Sequence, residues 1–534
     1  MKTNITKMFV GIFCATSLFT ATSCIDETSP TSGATEEQVK SSSKGTEALV
    51  WAMPAFMNDY GTVAGYHYEF GYGAMMHVRD VMTGDLVVVD TSYDWFGTWA
   101  KNKNQGENSA LTQFIWNFYT QLLQKSNMAL KSINEKGKLL DAEVGMRGAA
   151  YAYRAMTNLD MAQMYEFLPN DKTEGITSAG NDVTNYTIPI IRENMTEAEA
   201  RKNPRVKREE IAEFILEDLD KAEKDIVNLE NSDKELPHLD AVYGLKARLY
   251  MWLGNYEEAK KYARLAIDNC TGAIMNEDDC LSTNNGFNKP DKWMWAASTI
   301  KENDVVQTSI INWTSWMTPE ASYGYSAAGA TSMIDASMYD RMSNTDFRKR
   351  MYKAPEGHPL ETKINYLDAE AAAGYAEYAA IKFRPGGGNT ADYSIGSSVS
   401  YPLMRVEEMY FIEAEAAERL AAGSGVELLT QFMTANRDKD YTMNADDAID
   451  EILFQKRVEL WGEGHTFFDI KRADLSVLRG YEGTNFGATK SFNTTGRPAW
   501  MNICFVITEK NNNSAFIGWE NPDPTDVYTP WTGK

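Results

Sequence analysis

The stretch DAVYGLKARLYMWLGNYEEAKKYARLAI, residues 240–267, decides the fold. Apolar side chains recur at helical spacing on both sides of Gly254, where a Gly-Asn pair ends one helix and begins the next. In the second half Ala259, Ala263 and Ala266 place small side chains on one stripe, which lets a neighbouring helix approach closely. This stretch therefore predicts two packed helices joined by a tight turn.

The same helical periodicity appears in other parts of the chain, and the pair at 240–267 resembles a tetratricopeptide repeat. We therefore expect a mainly α fold, a helical scaffold with long aromatic-rich loops and a few short strands. Residues 306–315, VQTSIINWTS, have strand character. The further predicted helices cover residues 111–133, 141–167, 208–226, 403–421 and 446–461.

The N-terminus has the pattern of a bacterial lipoprotein signal. Lys2 and Lys7 supply positive charge, residues 8–21 are apolar but short for a bilayer span, and small residues precede Cys24. The pattern predicts removal of residues 1–23 and acylation of Cys24. An ordinary secretory signal and an N-terminal anchor helix are the alternatives.

Composition divides the rest of the chain. Residues 24–47 are rich in Ser, Thr, Gly and Glu and indicate a flexible tether after the lipidated cysteine. Residues 48–534 are long for one compact core. They are expected to form one large helical domain with loop insertions at about 58–109 and 271–400, or two or three lobes.

The formal charge of −23 argues against nucleic acid as a partner. The few cysteines and histidines give no zinc-ligand spacing, so the sequence indicates no metal site. Cys270 and Cys280 bracket a loop-like segment and either form a disulfide or remain separate thiols.

Two loop segments combine aromatic rings with polar side chains: DTSYDWFGTWAKNKNQ at 90–105 and INWTSWMTPEASYGY at 311–325. A flat ring offers an apolar π-face to the C–H face of a sugar, while neighbouring amides can bond its hydroxyl groups. The alternative is that these rings belong to the core. The candidate ligand-binding residues are Trp95, Trp99, Asn102, Trp313, Trp316, Tyr323 and Tyr325.

The sequence gives less support for catalysis than for ligand binding. No His-Glu-x-x-His and no Gly-x-Ser-x-Gly sequence occurs, and the glycines at 386–388 lack the Gly-Lys-Ser/Thr of a phosphate loop. Acidic residues in predicted helices lie near arginines, which favours structural ion pairs over catalytic acids. These acidic residues are Glu408, Glu415, Glu459 and Glu463.

Several motifs in a fixed order make the chain similar to the SusD/RagB family of outer-membrane nutrient-binding lipoproteins. The repeat-like pair at 240–267 and the lipoprotein signal also fit that family. The segments that carry the resemblance are WNFYTQLLQKSNMAL (116–130), RGAAYAYRAMTNLDMAQMYEFLP (147–169), RVEEMYFIEAEA (405–416) and ILFQKRVELWGEGHTFFDIKR (452–472).

The resemblance implies a superhelical scaffold of tetratricopeptide-like helix pairs. It also implies a non-enzymatic, surface-exposed lipoprotein of a Gram-negative outer membrane, without a cofactor. Such a protein captures oligosaccharides and passes them to a SusC-like TonB-dependent transporter. Three alternatives remain: a peptide-binding member of the same family, a helical lipoprotein glycoside hydrolase, and a helical scaffold that binds partner proteins.

Replacing Cys24 by Ala tests the anchor. We expect Cys24→Ala to leave a folded, ligand-competent protein that moves from the membrane fraction to the soluble fraction, because the acyl chains are its predicted attachment. Fractionation followed by immunoblotting measures this. A variant that stays with the membrane would show that another segment holds the protein there.

Overall fold

The computed structural model describes residues 42–89, 91, 94–230, 232–443 and 447–533. The predicted signal, Cys24 and most of the predicted tether lie outside these ranges. The first described helix begins at Ser43, inside the stretch assigned to the tether, and the Ser42 hydroxyl accepts a hydrogen bond from the Gly45 N–H.

Eleven helices of eight or more residues form the described scaffold, and those from α3 to α8 pack successively along the chain. The fold is mainly α-helical and built on helix pairs, as predicted. The helices are α1 (Ser43–Phe56), α2 (Tyr72–Val81), α3 (Ala110–Asn134), α4 (Asp141–Tyr165), α5 (Arg208–Asp225), α6 (Leu239–Leu253), α7 (Tyr256–Asp268), α8 (Val406–Leu420), α9 (Ser424–Asn436), α10 (Ala448–Glu459) and α11 (Thr466–Ala473).

The helix pair at 240–267 is confirmed as α6 and α7. Gly254 ends α6 with φ of 69°, a left-handed conformation that glycine adopts without strain. The Asn255 side chain caps α7 by accepting a hydrogen bond from the Glu258 N–H at 3.2 Å. The alanine stripe of α7 is fully buried, and α7 packs against both α6 and α8.

The other elements are short. Strand β1 (Leu86–Val88) pairs antiparallel with β3 (Ser332–Ile334), and β2 (Trp295–Ser298) pairs antiparallel with β4 (Ser400–Met404). The remaining α-helices are Gly97–Ala100, Glu197–Ala200, Glu277–Leu281, Asp304–Gln307, Trp313–Met317, Ala336–Arg341, Ala369–Ala373, Tyr393–Gly396 and Ile507–Asn512. The 3₁₀ turns are Ile226–Asn228, Pro290–Lys292, Phe347–Met351, Glu361–Lys363, Gly386–Gly388, Ala499–Met501 and Ser514–Phe516.

Two regions differ from the sequence expectation. The strand expected at 306–315 is wrong, because that region contains the end of one short helix and the start of another. The Asn312 side chain accepts a hydrogen bond from the Ser315 N–H at 3.0 Å, which favours a helix start there. The range 58–109, expected as a loop insertion, includes α2, all of whose residues are buried.

A network of buried ion pairs joins the C-terminal helices to the segment before them. The Glu459 carboxylate on α10 contacts the guanidinium groups of Arg348, Arg405 and Arg437 at 2.7–3.0 Å. These arginines hold the pKa of Glu459 well below its usual range despite burial. Glu463 pairs with Arg405 and with Lys382, so the predicted structural role of these acids is confirmed.

The cysteines within the described residues are free thiols. Cys270 and Cys280 therefore form no disulfide in this structure, and burial raises the pKa of Cys270 to about 11 and that of Cys280 to about 12. Within the described ranges, the helices are too short or too polar to cross a membrane.

Removing Glu459 should destabilise the fold. We expect Glu459→Ala to lower the free energy of unfolding by about 3–5 kcal/mol, because it leaves buried arginines without their shared partner. Urea unfolding followed by circular dichroism measures the change. Glu427→Ala is the control on exposed α9 surface and should shift stability by no more than about 0.5 kcal/mol. Equal effects of the two substitutions would contradict a structural role for the network.

Candidate functional site

The structure separates the candidate residues by exposure. Trp95 is 39% exposed and Tyr323 is half-buried. The remaining predicted residues are buried, at 0–7% exposure: Trp99, Asn102, Trp313, Trp316 and Tyr325. Of the predicted tryptophans, only Trp95 therefore presents a ring to solvent.

The loop before α2 brings two further aromatic side chains to this surface. The carboxylate of Glu69 is buried and accepts hydrogen bonds from the backbone N–H groups of Val63, Ala64 and Tyr66 at 2.8–3.2 Å. These bonds fix the loop, because they satisfy both a buried charge and backbone donors that have no helical partner. Tyr66 is 37% exposed, and His67 beside it is half-buried.

Four rings form a column that runs from the surface into the core, which we call the aromatic column: Trp95, His67, Tyr325 and Trp316. The Trp95 and His67 ring centroids are 4.6 Å apart, and those of Tyr325 and Trp316 are 4.3 Å apart in a stacked arrangement. The His67 Nδ1 is hydrogen bonded to the Tyr325 hydroxyl and so joins the two pairs. Burial lowers the pKa of His67, which keeps its imidazole neutral at neutral pH.

The inner end of the column rests on the short helix Trp313–Met317. The Ser315 hydroxyl accepts a hydrogen bond from the Tyr325 N–H at 2.9 Å, and the Ser315 carbonyl accepts one from Ser326. Gly324 makes this approach feasible, since a Cβ there would lie 2.6 Å from the Ser315 Cα. The backbone therefore fixes Tyr325 against Trp316.

The other buried candidates support the surrounding loops. Trp313 packs edge-on against Phe383, with ring centroids 5.0 Å apart. The Asn102 side-chain amide donates hydrogen bonds to the Gln105 side chain at 2.7 Å and to the Pro524 carbonyl at 2.8 Å. Its donors are thus used to tie the 95–105 loop to the C-terminal segment.

Tyr323 lies near the short helix Tyr393–Gly396. Its hydroxyl accepts a hydrogen bond from the Ser397 hydroxyl at 3.1 Å, and its ring meets that of Tyr393 edge-on. Burial raises the pKa of Tyr323 to about 12, so the hydroxyl is protonated at neutral pH.

Trp95 also lies on the wall of a cleft of about 970 Å³. The cleft is lined by the segment that leads into α3, by Thr177 and Ser178, and by the C-terminal segment from Cys504 to Thr525. Its polar side chains include Asn104, Asn108 and Ser109. A cleft of this size with one exposed ring and several hydroxyl and amide groups suits a polyhydroxylated ligand.

The charged side chains of the cleft form ion pairs. Two carboxylates of the cleft, Glu107 and Glu520, each lie 3.1 Å from the Lys510 amine. The acidic residues that the sequence marks near Arg405 are buried in ion pairs of the scaffold. Within the described part of the chain, no cluster of three or more His, Cys, Asp or Glu side chains is arranged to hold a metal ion.

The sequence prediction did not include His67 in the site, nor the C-terminal wall of the cleft. The sequence YGTVAGYHYEFGYG at 60–73 is rich in glycine and aromatic residues, and this composition is a signal that could have indicated a presenting loop. The residues around Glu520 carry no comparable signal, because only tertiary packing brings them beside Trp95.

The two ends of the column should differ in their contribution to stability. We expect Trp316→Ala to lower the free energy of unfolding by about 3–5 kcal/mol, since it empties a fully buried site. Trp95→Ala should cost about 1 kcal/mol or less, because its ring is partly solvated. Urea titrations of both variants measure this. A Trp95 variant as unstable as the Trp316 variant would mean that Trp95 is a packing residue.

Two family models match the chain and together span most of it. One is described as the SusD family and matches residues 282–513. The other is described as "Starch-binding associating with outer membrane" and matches residues 36–251. A search of the curated proteins found no match.

Solved structures share the fold at low sequence identity. A SusD-like carbohydrate binding protein from Bacteroides vulgatus is 20% identical, with a TM-score of 0.66 over 88% of this chain and 96% of that one. A SusD superfamily protein from Bacteroides thetaiotaomicron is 14% identical, with a TM-score of 0.67 over 90% and 99%.

Surface glycan-binding protein A from Bacteroides thetaiotaomicron, solved with laminarihexaose, is 15% identical, with a TM-score of 0.62 over 90% of this chain and 99% of that one. The two family models and the shared helical fold agree with the motifs in the sequence. The chain therefore belongs to the SusD-like family.

Proposed function

We propose that this protein is a surface lipoprotein that binds oligosaccharides at Trp95 and passes them to a SusC-like TonB-dependent transporter of the outer membrane. The observation that carries the proposal is the exposed indole of Trp95, which stands at the edge of a polar cleft and is braced from behind by His67. A braced ring binds a sugar face with little loss of conformational entropy.

Stacking and hydrogen bonding make different contributions to binding. The Trp95 ring supplies an apolar face to which many sugars can bind. The exposed Tyr66 ring stacks on Tyr68 of the cleft lining and adds aromatic surface. The cleft supplies Asn104, Asn108 and Ser109 for hydroxyl groups. Affinity then comes mainly from the ring, and selectivity comes from the polar wall.

The other candidate residues have different roles in this proposal. Tyr325 supports His67 through the hydrogen bond of its hydroxyl, and the half-buried Tyr323, which lies beside Tyr393, is a further proposed ligand contact. The buried side chains act as positioning residues that hold the loops in place: Trp99, Asn102, Trp313 and Trp316.

The protein binds its ligand without breaking bonds in it. Glycoside hydrolysis needs one protonated acid and one free carboxylate placed across a glycosidic bond. In the cleft, the Lys510 amine lies 3.1 Å from both Glu107 and Glu520, and its hydrogen bonds to these two carboxylates raise the pKa of Lys510. Both carboxylates therefore belong to one ion-paired cluster with this lysine.

Family membership supports the cellular part of the proposal. One matching family model is described by starch binding and by association with the outer membrane. Acylation of Cys24 would supply that association, and the acidic residues that follow Cys24 fit export to the outer face. Release of the ligand to a transporter requires moderate affinity, which one exposed indole at an open cleft suits.

Glycan binding by residues 25–534 is the direct test. Affinity electrophoresis and calorimetry against plant, microbial and host glycans should detect at least one ligand, without release of free sugar. Trp95→Ala should weaken binding about tenfold or more, the factor that corresponds to roughly 1.4 kcal/mol.

Trp51→Ala is the matched control, because Trp51 is a half-buried tryptophan on α1 outside the lining of the cleft. It should leave affinity unchanged. Binding of peptides with no glycan bound would move the protein to the peptide-binding alternative, and sugar release would identify a glycoside hydrolase.

A further inference from the structure

The charged side chains of the cleft leave an excess of negative charge beside Trp95. The lining contains Glu107, Glu520, Asp523 and one amine, that of Lys510. Since Lys510 lies 3.1 Å from both glutamates, its positive charge is shared between them. A ligand that enters the cleft therefore meets more carboxylates than cations.

Asp523 is held in place by the backbone around it. Its Oδ1 accepts a hydrogen bond from the Thr525 N–H at 2.9 Å. Its Oδ2 lies against Gly106, where a Cβ would be only 2.2 Å away. In the described part of the chain, no lysine or arginine forms an ion pair with this carboxylate, so its charge is left to face the cleft.

Besides the Lys510 amine, the start of α3 is a feature of the lining that attracts negative charge. Its N-cap residue, Ser109, makes no side-chain capping bond, so the first-turn N–H groups face the cleft without that partner. The N-terminus of a helix is worth roughly half a positive charge. This offsets only part of the excess carboxylate charge, and the oxygen of a hydroxyl group satisfies such N–H groups as well.

The uncharged part of the lining suits hydroxyl groups. Asn104, Asn108 and Ser178 each carry both donor and acceptor atoms, which matches a sugar hydroxyl that donates and accepts. A carboxylate or sulfate would only accept, and it would also lose hydration next to Asp523 without gaining a cation.

We propose that this cleft selects uncharged oligosaccharides and rejects those that carry uronate or sulfate groups. The proposal rests on the glycan-binding function proposed above and adds the chemical class of the ligand. The discrimination comes from the fixed carboxylates of the cleft wall, while the Trp95 ring stacks on neutral and anionic sugars alike.

A neutral glycan and its own oxidised derivative provide the test. The glycan that binds most tightly in the panel is oxidised at its primary hydroxyls to C6 carboxylates, and both forms are titrated by calorimetry. We expect the oxidised form to bind about tenfold more weakly at low ionic strength. Higher salt should reduce the difference in affinity between the two forms, because salt screens the repulsion between carboxylates. It should leave the affinity for the neutral glycan unchanged.

Two variants locate the effect. Asp523→Asn keeps the acceptor for the Thr525 N–H but removes the charge. It should raise the affinity for the oxidised glycan about threefold. Lys510→Gln removes the cation and should increase the discrimination. Glu427→Gln, on the exposed face of α9, changes the net charge equally and should change neither affinity.

The outcomes separate the two proposals. Equal binding of both forms, tighter binding of the oxidised form, or a difference unaffected by Asp523→Asn and by salt overturns selection by the cleft and leaves glycan binding intact. Failure of all neutral and anionic glycans to bind overturns the proposed function itself. Weaker binding of the oxidised form that Asp523→Asn and salt both relieve supports charge selection.

Discussion

The buried carboxylate of Glu459 is the interaction on which the arrangement of the C-terminal half depends. It draws together arginines from separate parts of the chain, Arg348, Arg405 and Arg437. A buried charge of this kind is costly unless every partner is in place, so the network favours one arrangement of helices over near alternatives. Its contribution is therefore to specificity of packing as much as to stability.

The same network reaches the surface through aromatic packing. Lys382 donates to Glu463 inside the network, and the next residue, Phe383, packs against Trp313. Trp313 begins the short helix that carries Trp316, on which Tyr325 stacks. The aromatic column is thus the outer end of a continuous packed path from the ionic core, which explains why a loop surface can hold an exposed ring in one orientation.

The amphipathic helices were predictable because the buried side chains of a helix recur at regular spacing in the sequence, as in the pair at 240–267. The aromatic loops were harder. Trp95 and Trp316 occur in similar sequence surroundings, yet one is exposed and the other fully buried. The exposure of each ring depends on its contacts with segments that are distant in sequence, and local composition does not reveal those contacts. The strand expected at 306–315 was wrong for a local reason, the capping side chain of Asn312.

The cleft is closed by residues from opposite ends of the fold. The Gln105 N–H donates to the Thr525 hydroxyl across 420 residues of chain. Closing so long a loop is entropically unfavourable until the intervening helices have packed. In a chain made from its N-terminus, the wall beside Trp95 is therefore among the last features to assemble, and the ability to hold a ligand reports that folding has finished. A partly folded copy would present its tryptophan without the cleft beside it.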